Sequence, residues 1–189
     1  MSAIRSFIAI DTLPEVKEEV AKLQEALRST NAEVRWDSRE KFHITLKFLG
    51  NVEEATLQSM ASLLETELAA FSPFGLIYQG VGCFPNLHRP RVIWVGAHNE
   101  DSTLSRVFEK IEQIASSFGF PREERQFHPH ITVGRVKGSK NIKALVSEIE
   151  VAKFPVQQSA INEIILMKSD LKPTGSVYTV LRRFPLKGG

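Results

Sequence analysis

The sequence has 189 residues, 42% of them hydrophobic and 24% charged, with 11 Gly and 9 Pro. That balance excludes a disordered or fibrous chain and allows one domain, or two half-sized lobes around a shared core. Lys and Arg number 24 against 22 Asp and Glu, and a net charge of +2 is too small for a protein that grips long duplex nucleic acid through many phosphates, though a small anion or a strand end remains open.

Ile4 to Ile10 is rich in β-branched and aromatic residues and predicts a strand. Its apolar patch, Phe7 to Ile10, meets Asp11 too soon for the core of a signal peptide, and no run approaches 18 apolar residues, so no membrane association is expected. From Pro14 onward, PEVKEEVAKLQEALRS spaces Val16, Val20, Leu23 and Leu27 three or four apart, as in an amphipathic helix. Pro14 in its first turn, early glutamates and a late Arg28 suit the helix dipole. A strand is predicted at 42–48 (FHITLKF), closed by Gly50, then a helix from about Glu53 to Ala70 carrying Leu57, Met60, Leu64 and Leu68. Residues 74–84 and 91–97 read as strands around the turn PNLHRP. The order resumes with a helix over about 102–118, a strand at 130–136 (HITVGRV) and a short helix over about 140–149. Two long strands, at about 154–168 and 176–184, follow around the turn KPTG.

Ile10 precedes His43 by 33 residues and Val95 precedes His130 by 35, which argues for an internal duplication of about 85 residues. The expected fold class is α+β: a single domain over 1–189 made of two pseudo-symmetric lobes, its two antiparallel sheets facing a central cleft with helices outside. The motif copies are centred on 43–46 and 130–133.

Those copies are His43-Ile44-Thr45-Leu46 and His130-Ile131-Thr132-Val133. Strand side chains alternate with period two, so each His and its Thr share one face, ~7 Å apart, while the aliphatic residues enter the core on the other. Two imidazoles near their free pKa of about 6.5 can divide acid and base work. Two hydroxyls can hydrogen-bond the non-bridging oxygens of a phosphate between them. A single His-x-Thr strand is usually structural, but a core has no use for two such polar pairs at matching places. The pattern suits in-line attack on a phosphodiester without a metal. Cys83, the single cysteine, excludes a disulfide framework or a cysteine-rich zinc module and points to a reducing, cytoplasmic setting.

With these motifs the sequence resembles the two-histidine phosphoesterases, which carry a repeated H-x-T-x motif, and within them the RNA 2',3'-cyclic phosphodiesterases, also called the 2'-5' RNA ligase family. The residues that carry the resemblance are FHITLKFLG (42–50), GVGCFPNLHRPRVIWVG (80–96), FHPHITVGR (127–135) and LKPTGSVYTVL (171–181). One departure is Gly134 after Val133, where many relatives have alanine or a bulkier apolar residue. The resemblance implies that a 2',3'-cyclic phosphate at an RNA 3' end, or on a cyclic nucleotide, opens to a 2'-phosphomonoester. It also implies His43 as proton donor to the leaving 3'-oxygen and His130 as the base that activates water. No cofactor, metal or obligate protein partner is expected, and the chain is expected to act as a monomer. The same histidines could run the reverse reaction, joining RNA ends through a 2'-5' linkage, and a non-catalytic RNA-end binding module is a rival of another class.

Further candidates are less specific. Arg135 follows the second motif, where a guanidinium could clamp a phosphate or be a solvated charge. Lys47 shares the strand face of His43 and Thr45 and is a second phosphate contact or a rim charge. Phe48 and Phe84 could stack a terminal base or belong to the core. Trp36 and Trp94 read as packing residues, His88 and His98 as surface groups, and Cys83 as no nucleophile, since no basic neighbour lowers its pKa. His128 falls opposite Lys41 when the copies are aligned, and Pro129 should start the regular strand at about His130.

Overall fold

Apolar residues two apart build strands and apolar residues three or four apart build helices, in the order the sequence predicts. The structure, a computed structural model, describes residues 3–173 and 175–188. It runs β1 (Ala3–Asp11), α1 (Pro14–Arg28), β2 (Val34–Trp36), a 3-10 turn (Arg39–Lys41), β3 (His43–Glu53), α2 (Glu54–Leu68), β4 (Phe74–Phe84) and β5 (Val92–His98). It continues through α3 (Thr103–Ser117), β6 (His130–Val136), α4 (Ile142–Val151), β7 (Gln157–Ile161), β8 (Glu163–Lys172) and β9 (Gly175–Pro185). None of these helices is long and apolar enough to cross a membrane.

The two expected sheets are halves of one curled antiparallel sheet, ordered β7-β4-β5-β6-β3-β1-β8-β9. Among the described residues, Ile44 opposite Ile131 is the one Cα pairing between β3 and β6, which joins the halves, and the order reads alike outward from it: β3-β1-β8-β9 one way, β6-β5-β4-β7 the other. The strand expected at 154–168 is two strands, β7 and β8, separated at Asn162. β7 pairs with β4 and β8 with β1, so the chain changes halves there, and one uninterrupted ladder could not serve both partners. The turn KPTG includes Thr174, which lies outside the described residues.

The main core lies between the sheet and its helices, and takes in Ile8, Ile10, Ile44, Leu46, Ile131 and Val133. Helix α1 buries Val16, Val20, Leu23, Gln24 and Leu27, and α3 repeats that stripe 88 residues later as Leu104, Phe108, Ile111, Glu112 and Ala115. Gln24 and Glu112 are thus buried polar side chains at the same place in the two stripes. Phe7, Ala9 and Ile165 form a second, smaller cluster on the opposite face of the sheet, with Met167 and Tyr178 packed against it.

Candidate active site

The face away from the helices carries the two motifs. Alternation buries Ile44, Leu46, Ile131 and Val133 and leaves His43, Thr45, His130 and Thr132 half-buried on the other side. Extending the antiparallel register one residue either way from Ile44–Ile131 sets His43 opposite Thr132 and Thr45 opposite His130. The four side chains thus make a two-by-two patch at the junction of the two halves of the sheet.

His43 Nε2 lies 3.1 Å from Thr45 Oγ1. Its ring sits 5.0 Å from the Phe7 ring and edge-on to Tyr178 at 5.4 Å. Burial pushes the His43 pKa down to about 4, against a smaller upward pull from a backbone hydrogen bond to Lys41. His130 Nδ1 is 2.6 Å from the His128 carbonyl oxygen. That oxygen can only accept, so Nδ1 carries the proton and Nε2 holds the lone pair of the neutral ring. Burial lowers the His130 pKa too, the hydrogen bond to His128 opposing it and the positive charge of Arg135 adding to it. Both imidazoles are held below their ordinary value.

Each motif strand bulges immediately after its threonine. In β3 the pairing with β1 shifts between Ala9–Thr45 and Ile8–Lys47, so that Leu46 and Lys47 both point into the core. Lys47 is therefore not beside His43: its ammonium lies 2.7 Å from Glu112 Oε1 of α3 and donates to the Pro121 carbonyl at 2.7 Å. In β6 the pairing with β5 shifts between Gly134–Ile93 and Thr132–Trp94, and Val133 and Gly134 both face inward. A Cβ on Gly134 would stand 2.8 Å from Trp36 Cε3 and from Val34 Cγ1, which explains the glycine at this place. Buried Gln24 of α1 braces this bulge, donating to the carbonyls of Val133 at 3.0 Å and Asp37 at 2.7 Å.

The bulges return Phe48 and Arg135, each five residues after its histidine, to the cleft face. Phe48 is 68% exposed, its ring 6.1 Å from Phe7. Phe84 also joins the site, edge-on to His130 at 5.0 Å and 5.3 Å from Trp94. Trp94 lies flat across Gly82, where a side chain would overlap the indole. Next to His130 a cleft of ≈ 750 Å³ is lined by Val81, Phe84, Trp94, His128, Phe154 and Val156. The regular strand begins at His130, with His128 exposed on the loop before it. Cys83 is buried and its thiol pKa is raised by burial. Sequence reasoning missed Phe7 and Tyr178, the walls around His43. The available signal was the unbroken apolar run Phe7–Ile10, which marks a strand covered on both faces.

The family described as LigT like Phosphoesterase matches this sequence twice, over residues 10–94 and 95–178, so one match holds each motif. The chain belongs to the LigT-like phosphoesterases. Among curated members, the protein named RNA 2',3'-cyclic phosphodiesterase of Methanothermobacter thermautotrophicus is 35% identical, over 97% of this chain and 99% of its own length. The protein of the same name from Methanocaldococcus jannaschii is 37% identical, over 96% and 100%. Among solved structures, TT0787 of Thermus thermophilus superposes with a TM-score of 0.81 at 27% identity, covering 97% of this chain and 98% of that one. This LigT-like chain shares the fold of that structure throughout.

Proposed function

We propose that this LigT-like phosphoesterase opens 2',3'-cyclic phosphate ends of RNA to 2'-phosphomonoesters, with His43 as proton donor and His130 as proton acceptor and without a metal. The observation that carries the reading is the patch of His43, Thr45, His130 and Thr132, two acid–base groups and two hydroxyls facing each other across β3 and β6. The names of the curated relatives support the substrate class. The duplication is part of the proposal: one bilobal domain, each lobe bringing one histidine and one threonine.

In this mechanism the threonine hydroxyls donate to the non-bridging phosphate oxygens, and Arg135 adds positive charge beside them. His130 Nε2 takes a proton from water as the water oxygen bonds to phosphorus. The bond from phosphorus to the 3'-oxygen breaks, and His43 gives that oxygen its proton. The hydrogen bond from His130 Nδ1 to the His128 carbonyl suits the base role, because it leaves Nε2 free to accept. Exchange with solvent then restores both rings.

Incubation of an RNA ending in a 2',3'-cyclic phosphate, with and without EDTA, tests the metal-free scheme. Equal rates are expected. Loss of activity in EDTA with recovery on adding zinc, magnesium or manganese contradicts it.

The lowered histidine pKa values give a second expectation. In the free protein both rings are neutral at pH 7, His43 titrating near 4, whereas the donor must be protonated when substrate is bound. A phosphodiester anion between the threonines favours the imidazolium form and raises both pKa values. The profile of kcat, which reports the complex, should therefore lie at higher pH than that of kcat/KM, which reports the free enzyme, both being bell-shaped. Superimposable profiles would contradict a histidine whose charge the substrate induces.

A further inference from the structure

At the end of β6 farthest from the ≈ 750 Å³ cleft, three cations gather with a single carboxylate, Asp37, in their field. Arg35 of β2 pairs directly with Arg135 of β6, and like charges opposite each other on one sheet face are destabilising. Their neighbours in the ladder, Trp36 opposite Gly134 and Val34 opposite Val136, face the core, so both guanidinium groups face the cleft. Lys41, at the end of the 3-10 turn, directs its ammonium to within 3.4 Å of where a Cβ of Gly175 would stand. Among the described residues none of these three cations has a carboxylate within 4.0 Å, although the protein forms such pairs at Lys17–Asp11, Arg39–Glu18 and Lys47–Glu112. The acidic group in their field is Asp37, a single carboxylate for three cations, its pKa raised by burial and pulled back down by Arg135, Arg35 and Lys41. Tyr178, which packs on His43, lies in the field of Arg135 and Arg35 as well, so the cluster is continuous with the motif patch.

Three cations around one carboxylate leave an excess of positive charge that suits a bound anion. A scissile phosphate held by Thr45, Thr132 and Arg135 leaves Arg35 and Lys41 without a partner. Resting on the activity proposed above, we propose that Arg35 and Lys41, beside Arg135, bind a phosphate group upstream of the cyclic end. The enzyme thereby selects the end of an RNA chain over a cyclic mononucleotide. The selectivity is electrostatic and independent of base identity, as expected of contacts to backbone phosphate.

Three substrates test this: a nucleoside 2',3'-cyclic phosphate, the same compound with a 5'-phosphate, and a trinucleotide ending in the cyclic phosphate. In the wild type the added phosphates should raise kcat/KM about tenfold or more, as one or two charge-assisted contacts do. Arg35→Ala and Lys41→Ala should each collapse that ratio several-fold, Arg35→Glu further, and Arg35→Lys should restore part of it. For the trinucleotide, the slope of log kcat/KM against log salt should become shallower by about 0.7 for each cation removed. A fold defect would lower all three substrates alike and leave ratio and slope unchanged. Turnover of all three with the wild-type ratio and slope retained in the variants overturns the subsite. A gain from the trinucleotide but none from the 5'-phosphate places the bound phosphate further upstream, within the proposal. No turnover of any cyclic substrate overturns the activity itself.

Discussion

Replacing His43 or His130 with alanine lowers kcat by about 10²-fold or more, and the double variant is little worse than either single one, because the two proton transfers belong to one displacement. His128→Ala, by contrast, costs less than about tenfold. The geometry explains the difference. His128 acts on His130 through its backbone carbonyl, 2.6 Å from Nδ1, and alanine keeps that carbonyl. The exposed ring of His128 lies 6.2 Å from that of Phe84 between centroids, on the wall of the cleft, and its charge acts on His130 less than burial does. Steady-state rates for the four variants on one cyclic-phosphate RNA check this. A His128→Ala protein as inactive as His43→Ala, beside a nearly normal His130→Ala, would contradict the pairing of His130 with His43.

The second large effect is on stability. Lys47→Met should cost about 3 to 5 kcal/mol, since it leaves the carboxylate of Glu112 charged and buried. The side chains of Lys47 and Glu112 are 8% and 2% exposed, and Glu112 Oε2 also accepts the Glu123 backbone N–H at 2.9 Å. Lys47→Met combined with Glu112→Leu removes both charges and should regain most of the loss. A remainder of about 1 to 2 kcal/mol reflects the Pro121 carbonyl and Glu123 N–H left without partners. Urea unfolding of the two single variants and the double variant measures this. The folded double variant should keep its turnover of a cyclic phosphate, because Lys47 reaches α3 rather than substrate. Wild-type stability in Lys47→Met together with a raised KM would return Lys47 to the cleft.

Much of this site is legible from residue spacing. The helical stripe at Val16, Val20, Leu23 and Leu27 and the two His-x-Thr strands depend on local periodicity, and both form as that periodicity requires. Strict alternation misplaces Lys47 because it cannot anticipate a bulge, which arises where β3 slips against β1. Such slips, one just after each motif threonine, bring Phe48 and Arg135 to the cleft, so their place is correct only once these two breaks in alternation are counted. Asn162 divides one apolar stretch because its two parts pair with strands in opposite halves of the sheet, a tertiary fact without a local signal. Arg35 escapes a reading by periodicity because β2 has three residues, too few to show a period, and its importance comes from pairing with the distant Arg135.

The most direct measurement is the chemical identity of the end left when wild-type protein acts in EDTA on an RNA ending in a 2',3'-cyclic phosphate. Proton donation from His43 to the 3'-oxygen leaves a 2'-phosphomonoester, sensitive to phosphatase and distinguishable from a 3'-phosphate by an end-specific ligase. A 3'-phosphate product, or a ring left closed, contradicts the assignment of the two histidines.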